Sequence, residues 1–157
     1  MGVTVRRATR ADAKAIAGFA VALFELHAKW NAKRFTQIAT REGAEHFYGE
    51  RAEAGSVLVA ESHGQIIGFA FFEYEAVLYA ELATNVVLLH DLFVVPEARG
   101  KGAGRELLNA VREEAKLRGA DKILLSVADA NAEGRKVFER NGYETTMLEM
   151  MLVVDQK

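Results

Sequence analysis

The chain contains no cysteine. Disulfides, thiolate metal sites and a cysteine nucleophile are therefore outside its chemistry, and the zero count agrees with a cytoplasmic protein. Proline occurs once, at Pro96, and there is no Ser/Pro-rich stretch that would read as a linker between domains. No run approaches the ~18 uninterrupted apolar residues of a membrane span. The opening letters MGVTVRRATRAD lack the apolar stretch of a signal peptide. The four histidines are scattered without HxH or HxxxH spacing, so no metal site is expected. Charge of one sign is also missing: 20 Lys and Arg face 22 Asp and Glu, a net −2 that gives no broad attraction to nucleic acid or to a membrane surface. What remains is a chain of 157 residues, half of them hydrophobic, which reads as a single domain over residues 1–157 with a sizeable core.

Period and punctuation order the elements. Val3 to Arg7 alternates as a short strand. Thr9 and Asp12 open a helix whose Ile16, Phe19, Ala20, Leu23, Phe24 and His27 recur at helical spacing to about Lys29. Thr40 opens a second helix through Arg51, carrying Phe47 and Tyr48, and Gly55 stops it. Val57 to Ala60 and Ile66 to Tyr74 form an antiparallel hairpin about the turn Ser62-His63-Gly64-Gln65. Ala76 to Asn85 reads either as an extension of that hairpin or as a loop. Val86 to Val95 is a central strand, apolar on both faces. A helix follows over Arg105 to Arg118, then a strand over Lys122 to Ala128, then a short helix capped by Asp129 or Asn131 and stopped by Gly142. Tyr143 to Val154 reads as a last strand, its Met147, Leu148, Met150, Met151 and Leu152 expected in the sheet's core. The fold class is α/β, a mixed sheet in the order β-α-α-β-β-β-α-β-α-β with helices on both faces; a crossover joins two parallel strands at its centre.

The segment RGKGAG, Arg99 to Gly104, lies where the central strand passes into a helix. Glycines let the backbone approach an anion closely, and a helix N-terminus adds roughly half a positive charge where that anion would sit. Arg99 and Lys101 add mobile counter-charge. A Walker loop does not fit, because Arg105 and Glu106 follow Gly104 and no hydroxyl is placed for magnesium. A dinucleotide fingerprint does not fit either, because Arg105 occupies its third glycine position. The junction is one for a phosphorylated ligand.

These letters resemble the GCN5-related N-acetyltransferase family. Its central motif, Arg/Gln-x-x-Gly-x-Gly/Ala between a strand and a helix, is filled by Arg99, Gly102 and Gly104 within DLFVVPEARGKGAGRELL. Its second motif, an asparagine after the next strand and then a helix ending in Gly-aromatic, is matched in ANAEGRKVFERNGYE by Asn131, Gly142 and Tyr143. The remainder agrees in layout. The resemblance implies a sheet with splayed central strands, acetyl-CoA as cosubstrate, and a homodimer, for which Met147, Leu148, Met150, Met151 and Leu152 of the last strand offer apolar surface where they are not simply core. Carried over by position, the amides of Gly100, Lys101, Gly102, Ala103, Gly104 and Arg105 would hold the pyrophosphate, and the backbone of Leu92, Phe93 and Val94 would pair with the pantetheine arm. Asn131 would bond that arm from the other wall or serve simply as a helix cap. One position departs: where many members carry a tyrosine proposed to protonate the leaving thiolate, this chain has Phe138, which has no proton to give.

Acetyl transfer to an amine requires removal of a proton from an alkylammonium of pKa ~10.4 and polarisation of the thioester carbonyl. The expected carbonyl donor is the N–H of Val94. The candidate base is His90, since an imidazole suits proton transfer near neutral pH; Asp91 and Glu73 are its rivals, acting through water. Strict strand alternation puts His90 and Asp91 on opposite faces. Tyr74, Tyr79 and Tyr143 are the phenols near strand ends. Trp30 and Phe35, with Tyr74, are candidates for contact with the acceptor, the first two equally readable as a plug between helices. The expected reaction is transfer to a primary amine of a small molecule such as a polyamine, an amino acid or an aminoglycoside-like compound. A protein N-terminal or lysine acetyltransferase is the alternative, and a non-catalytic acetyl-CoA sensor a third possibility.

Overall fold

Buried side chains alternate along the middle strands, and this alternation divides the core into two layers. The structure is a computed structural model and describes residues 2–154. Its five strands are β1 (Thr4–Arg7), β2 (Val57–Ser62), β3 (Gln65–Leu78), β4 (Ala83–Val94) and β5 (Lys122–Leu125), in that spatial order. β1 to β4 are antiparallel neighbours, whereas β4 and β5 are parallel. Val57, Val59, Phe69 and Phe71 face one side and meet Ile16, Ala20 and Leu23 of α1 (Ala13–Trp30) and Ala44 and Tyr48 of α2 (Arg41–Glu53). Leu58, Ala60, Ala70 and Phe72 face the other side and meet Leu107, Leu108 and Val111 of α3 (Ala103–Leu117). Val137 and Phe138 of α4 (Ala132–Arg140) pack against this second layer. The helix starts follow the expected caps. The Thr9 N–H donates to Asp12 Oδ2 at 2.8 Å, and the Thr40 hydroxyl accepts from the Gly43 N–H at 3.0 Å.

The ambiguous segment after Tyr74 extends the hairpin: Val77 pairs with Thr84 and Leu78 with Ala83 about a short turn at Tyr79–Glu81. Two expectations are corrected. β5 ends at Leu125 rather than Ala128, because β4 pairs with it only from Val86 to Leu89 and leaves the later residues without a ladder partner. The last strand does not form within residues 143–154. Met147, Leu148, Met150, Met151 and Leu152 are exposed instead of buried. MLEMML is apolar on both faces but forms no ladder with β5, whose outer edge has no partner among the described residues. Among the described residues no helix is long and apolar enough to cross a membrane.

Candidate active site

β4 passes from a paired strand to one lip of a gap. Its ladder to β5 stops at Leu89↔Leu125, while its ladder to β3 continues to Gly68↔Val94. The Val95 N–H donates to the Ile67 carbonyl at 2.8 Å. Antiparallel alternation then turns the main chain of Phe93 toward Phe69 of β3 and that of Leu92 and Val94 toward the gap. Phe93 therefore leaves the expected set of main-chain partners for a ligand. Its ring belongs to the core instead, stacked on Phe19 at 5.6 Å between centroids. The Val94 carbonyl is also occupied, by Arg99 Nε at 2.9 Å. Arg99, expected as a mobile counter-charge, is tied down by this bond and by its place over the Phe93 ring. Leu92 and the Val94 N–H stay available on the gap side.

Below the gap, Gly102 adopts φ 92° as the residue before α3, a conformation that admits glycine and strains most other residues. The first intrahelical bond runs from the Glu106 N–H to the Gly102 carbonyl at 3.0 Å, so the amides of Ala103, Gly104 and Arg105 lie ahead of the ladder at the positive end of the helix. A Cβ added at Gly104 would meet nothing within 4 Å, which leaves open space beside these donors. Lys101 makes no ion pair among the described residues, and Arg105 reaches Glu106 at 3.5 Å. Free amides, open space and an unpaired cation suit a diphosphate. Across the gap Asn131 caps α4, its Oδ1 accepting from the Gly134 N–H at 2.9 Å. The cap uses the amide oxygen, so the NH2 group remains a donor for a ligand.

The side of β4 that faces α1 and α2 is organised by a bulge. Phe71 pairs with Asp91 and Phe72 with Leu89, so His90 is an extra residue in β4. The extra residue cancels the expected alternation. The His90 ring stacks on Phe71 at 4.9 Å between centroids, and Asp91 Oδ2 accepts from the Tyr48 hydroxyl at 2.6 Å. Phe71 and Tyr48 belong to the same core layer, so His90 and Asp91 face the same side, that of α1 and α2. Glu73 joins them, its Oε1 3.1 Å from His90 Nε2. Burial pushes the Asp91 carboxyl pKa up from its ordinary value, opposed by the Tyr48 hydrogen bond and by the charges of His90 and His27. Burial and the neighbouring Asp91 carboxylate push the Tyr48 phenol far up, so it stays a hydrogen-bond donor.

His27 links this cluster to the end of α1. Its Nδ1–H donates to the Leu23 carbonyl at 2.8 Å, and its ring sits edge-on to Trp30 at 4.8 Å and to Phe35 at 4.9 Å. Trp30 and Phe35 thus gather on the His27 ring at the end of α1. Tyr74 lies elsewhere, opposite Val87 on the α3 side, and donates to Asn85 Oδ1 at 3.1 Å. Tyr79 is exposed at the hairpin tip, and Tyr143 packs edge-on against Phe138 at 5.8 Å. Tyr48 and His27 had escaped notice as site residues because both occupy apolar-face positions of their helices. Nothing local marks them: Tyr48 gains its polar partner only from β4, and His27 bonds to the Leu23 carbonyl within its own helix. Among the described residues no group of three or more His, Asp or Glu side chains is placed to hold a metal ion.

The sheet thus parts above a helix start with free amides, and His90, Glu73 and Asp91 lie together on one lip. The sequence model of the acetyltransferase (GNAT) family matches residues 17–143, and the chain belongs to that family. It is an acetyl-CoA-dependent N-acetyltransferase. It is 35% identical over 144 residues, 90% of each chain, to the uncharacterized N-acetyltransferase YhfO of Bacillus subtilis (strain 168). It is 27% identical over 150 residues to the L-methionine sulfoximine/L-methionine sulfone acetyltransferase of Salmonella typhimurium (strain LT2), covering 92% of this chain and 81% of that one. Its fold matches the aminoglycoside N-acetyltransferase AAC(6')-Iy in complex with CoA, at a TM-score of 0.78 and 19% identity over 97% of this chain and 94% of that one.

Proposed function

We propose that the protein transfers the acetyl group of acetyl-CoA to a primary amine of a small molecule, by direct attack in a ternary complex, as a cytoplasmic homodimer. The observation that carries this reading is the bulge at His90, which presents His90, Glu73 and Asp91 together on the acceptor side of the parted sheet. The relative named for methionine sulfoximine and methionine sulfone supports a small acceptor.

The cosubstrate contributes an activated thioester. The amides of Ala103, Gly104 and Arg105, with Lys101, hold its phosphates; Leu92 and Asn131 hold the arm from the two lips of the gap. The Val94 N–H donates to the carbonyl oxygen as negative charge builds there, a contribution worth about 3 kcal/mol in comparable sites. On the acceptor side, the Asp91 carboxylate, kept in place by Tyr48, attracts the ammonium form of the amine. His90 then takes its proton, and Glu73 bonds the protonated imidazole. The neutral amine attacks the carbonyl carbon, the C–S bond breaks, and the departing thiolate takes up the second proton that the nitrogen loses as the amide forms. Trp30 and Phe35 flank the opening beside His27 and exclude water from the amine's carbon skeleton.

The test is release of free thiol from acetyl-CoA with a chemically diverse amine panel, small molecules and peptides side by side. The expected result is acetylation of a small amine, and a loss in kcat of ~10²-fold or more in His90→Ala with acetyl-CoA binding retained by calorimetry. Thiol release only with peptides, with no amine at all, or at an unchanged rate in His90→Ala overturns the proposal.

A further inference from the structure

We infer that the acceptor is an amine carrying a carboxylate several bonds away, and that Arg34 takes up this carboxylate in place of Glu149. The inference rests on the small-amine acetyl transfer proposed above and names its substrate class.

Charge on the acceptor side is divided by element. The sheet supplies acids: Glu73 of β3 lies 3.1 Å from His90 Nε2, and Asp91 of β4 is held by Tyr48. The end of α1 and the loop leading to α2 supply cations. Residues 26–41 contain Lys29, Lys33, Arg34 and Arg41 and not one acid. Lys29 and Lys33 have no ion-pair partner among the described residues. His27 stands between the two regions. Its charge favours the ionised form of Asp91, and its ring meets that of Phe35 at 4.9 Å. The Arg34 guanidinium carbon lies 5.0 Å from the centroid of the same Phe35 ring. Two aromatic rings thus separate the acids from the guanidinium. The adjacent ammonium and carboxylate of an α-amino acid cannot span that interval, whereas a chain of several methylenes can, its carbons lying along the rings.

Arg34 is shaped to receive a carboxylate. Asn31 fixes the turn beneath it: its Oδ1 accepts from the Lys33 and Arg34 N–H groups, both at 3.1 Å, and its carbonyl accepts from the Phe35 N–H at 3.0 Å. The side chain already holds one, since Nε and Nη2 donate to the two carboxylate oxygens of Glu149 at 2.5 and 3.0 Å. This two-point fork fits any carboxylate of the same geometry. Glu149 reaches it from 115 positions along the chain, on a segment with no ladder partner. The side chains of Arg34 and Glu149 are 44% and 65% exposed, and a pair so open to water contributes little and exchanges readily. Glu149 is therefore a stand-in that a substrate carboxylate displaces.

Thiol release with matched amines tests this. The probe 5-aminopentanoate is compared with pentylamine, which lacks the carboxylate, and with 5-aminopentanamide, which keeps the shape without the charge. Glycine keeps the charge but sets it close to the amine. The expected result is a kcat/KM for 5-aminopentanoate that exceeds each of the other three by ~10-fold or more, the scale of a hydrogen bond to a charged group. In Arg34→Gln the preference over pentylamine falls ~10-fold or more, through KM. In Glu149→Gln, where the competing charge is gone, KM for 5-aminopentanoate falls by up to ~5-fold. An unchanged or raised KM there overturns the displacement. Pentylamine or the amide turned over as well as 5-aminopentanoate, or a preference that survives Arg34→Gln, overturns the inference and leaves small-amine acetylation standing. Glycine as good as 5-aminopentanoate overturns the span between the two charges. Thiol release with peptides alone, or with no amine, overturns both readings. The wild-type series alone decides these outcomes if either variant fails to fold.

Discussion

At Asp91 burial raises the carboxyl pKa, while Tyr48, His90 and His27 favour the ionised form and only partly offset it. A group whose folded pKa lies above its unfolded value binds its proton more tightly in the native state. Its contribution to stability therefore declines as pH rises through the ordinary carboxylate value of ~3.9 and stays unfavourable above the raised folded value. Asp91→Asn removes that burden while keeping an oxygen that accepts from Tyr48. Its melting temperature is expected to equal or exceed that of the parent near neutral pH, with the advantage disappearing below pH ~4. If the carboxylate recruits the cationic amine, kcat/KM falls ~10-fold or more in the same variant, the opposing trends that mark a functional site. Thermal melts at acid and neutral pH together with steady-state kinetics check both halves. A variant that melts lower at neutral pH would show Asp91 to be a structural anchor. The side on which His90 and Asp91 face was not legible in VVLLHDLFVV, because strict alternation separates neighbours and a bulge does not. With apolar letters on both faces of β4, nothing local in the sequence announces where the extra residue is absorbed.

The elements that build the donor side were far easier to read. RGKGAG carries its own conformational demands, and the strand before it and helix after it follow from local periodicity, so the glycine turn and the helix start behind it emerge from a dozen letters. The end of β5 did not, since it is set by where β4 departs, a non-local event. Gly68 on β3 tests how tightly that departure is held. A Cβ there would come within 2.5 Å of the Phe93 carbonyl oxygen and 3.2 Å of Val94 Cα, both main-chain atoms of the lip that faces the gap. In Gly68→Ala, β4 must shift, at a cost of ~1–3 kcal/mol. At ~2–4 °C per kcal/mol for a domain of this size, that is a drop of several degrees in Tm. The shift also displaces the Val94 N–H, so kcat is expected to fall. Gly104→Ala is the contrasting case, because its Cβ enters open space ahead of α3. There Tm is expected to hold while KM for acetyl-CoA rises. Equal melting temperatures for the two variants would show that β4 has slack at Gly68 and that the lip is not rigidly placed.

Across the whole molecule, the sheet's first strand is tied to α3 by one acid. Glu114, 7% exposed, accepts from Arg7 Nε and Nη2 at 2.8 and 2.9 Å and also meets Arg118, whose Nη2 donates to the Gly55 carbonyl at 2.8 Å. β1, α3 and the turn before β2 are thereby joined at a single carboxylate. No sequence pattern reveals this knot, since Arg7 and Glu114 lie 107 positions apart and each reads alone as an ordinary surface charge. The hydrogen bond from Arg7, with help from Arg118, holds the Glu114 carboxyl below its usual pKa. A depressed folded pKa contributes stability that is fully present above the unfolded value of ~4.3 and lost as pH falls through the folded one. Glu114→Gln keeps the shape and removes the charge. With Arg7 largely exposed, the loss is expected to be ~2 kcal/mol at neutral pH, the scale of a hydrogen bond to a charged group after solvent screening. Because the parent surrenders this contribution in acid and the variant never had it, the two denaturation midpoints should converge as pH drops below ~4. Neutral-pH kcat is expected to be unchanged, since Glu114 lies behind the sheet from His90. A gap between parent and variant that stays constant with pH would mean that the knot acts through packing rather than charge.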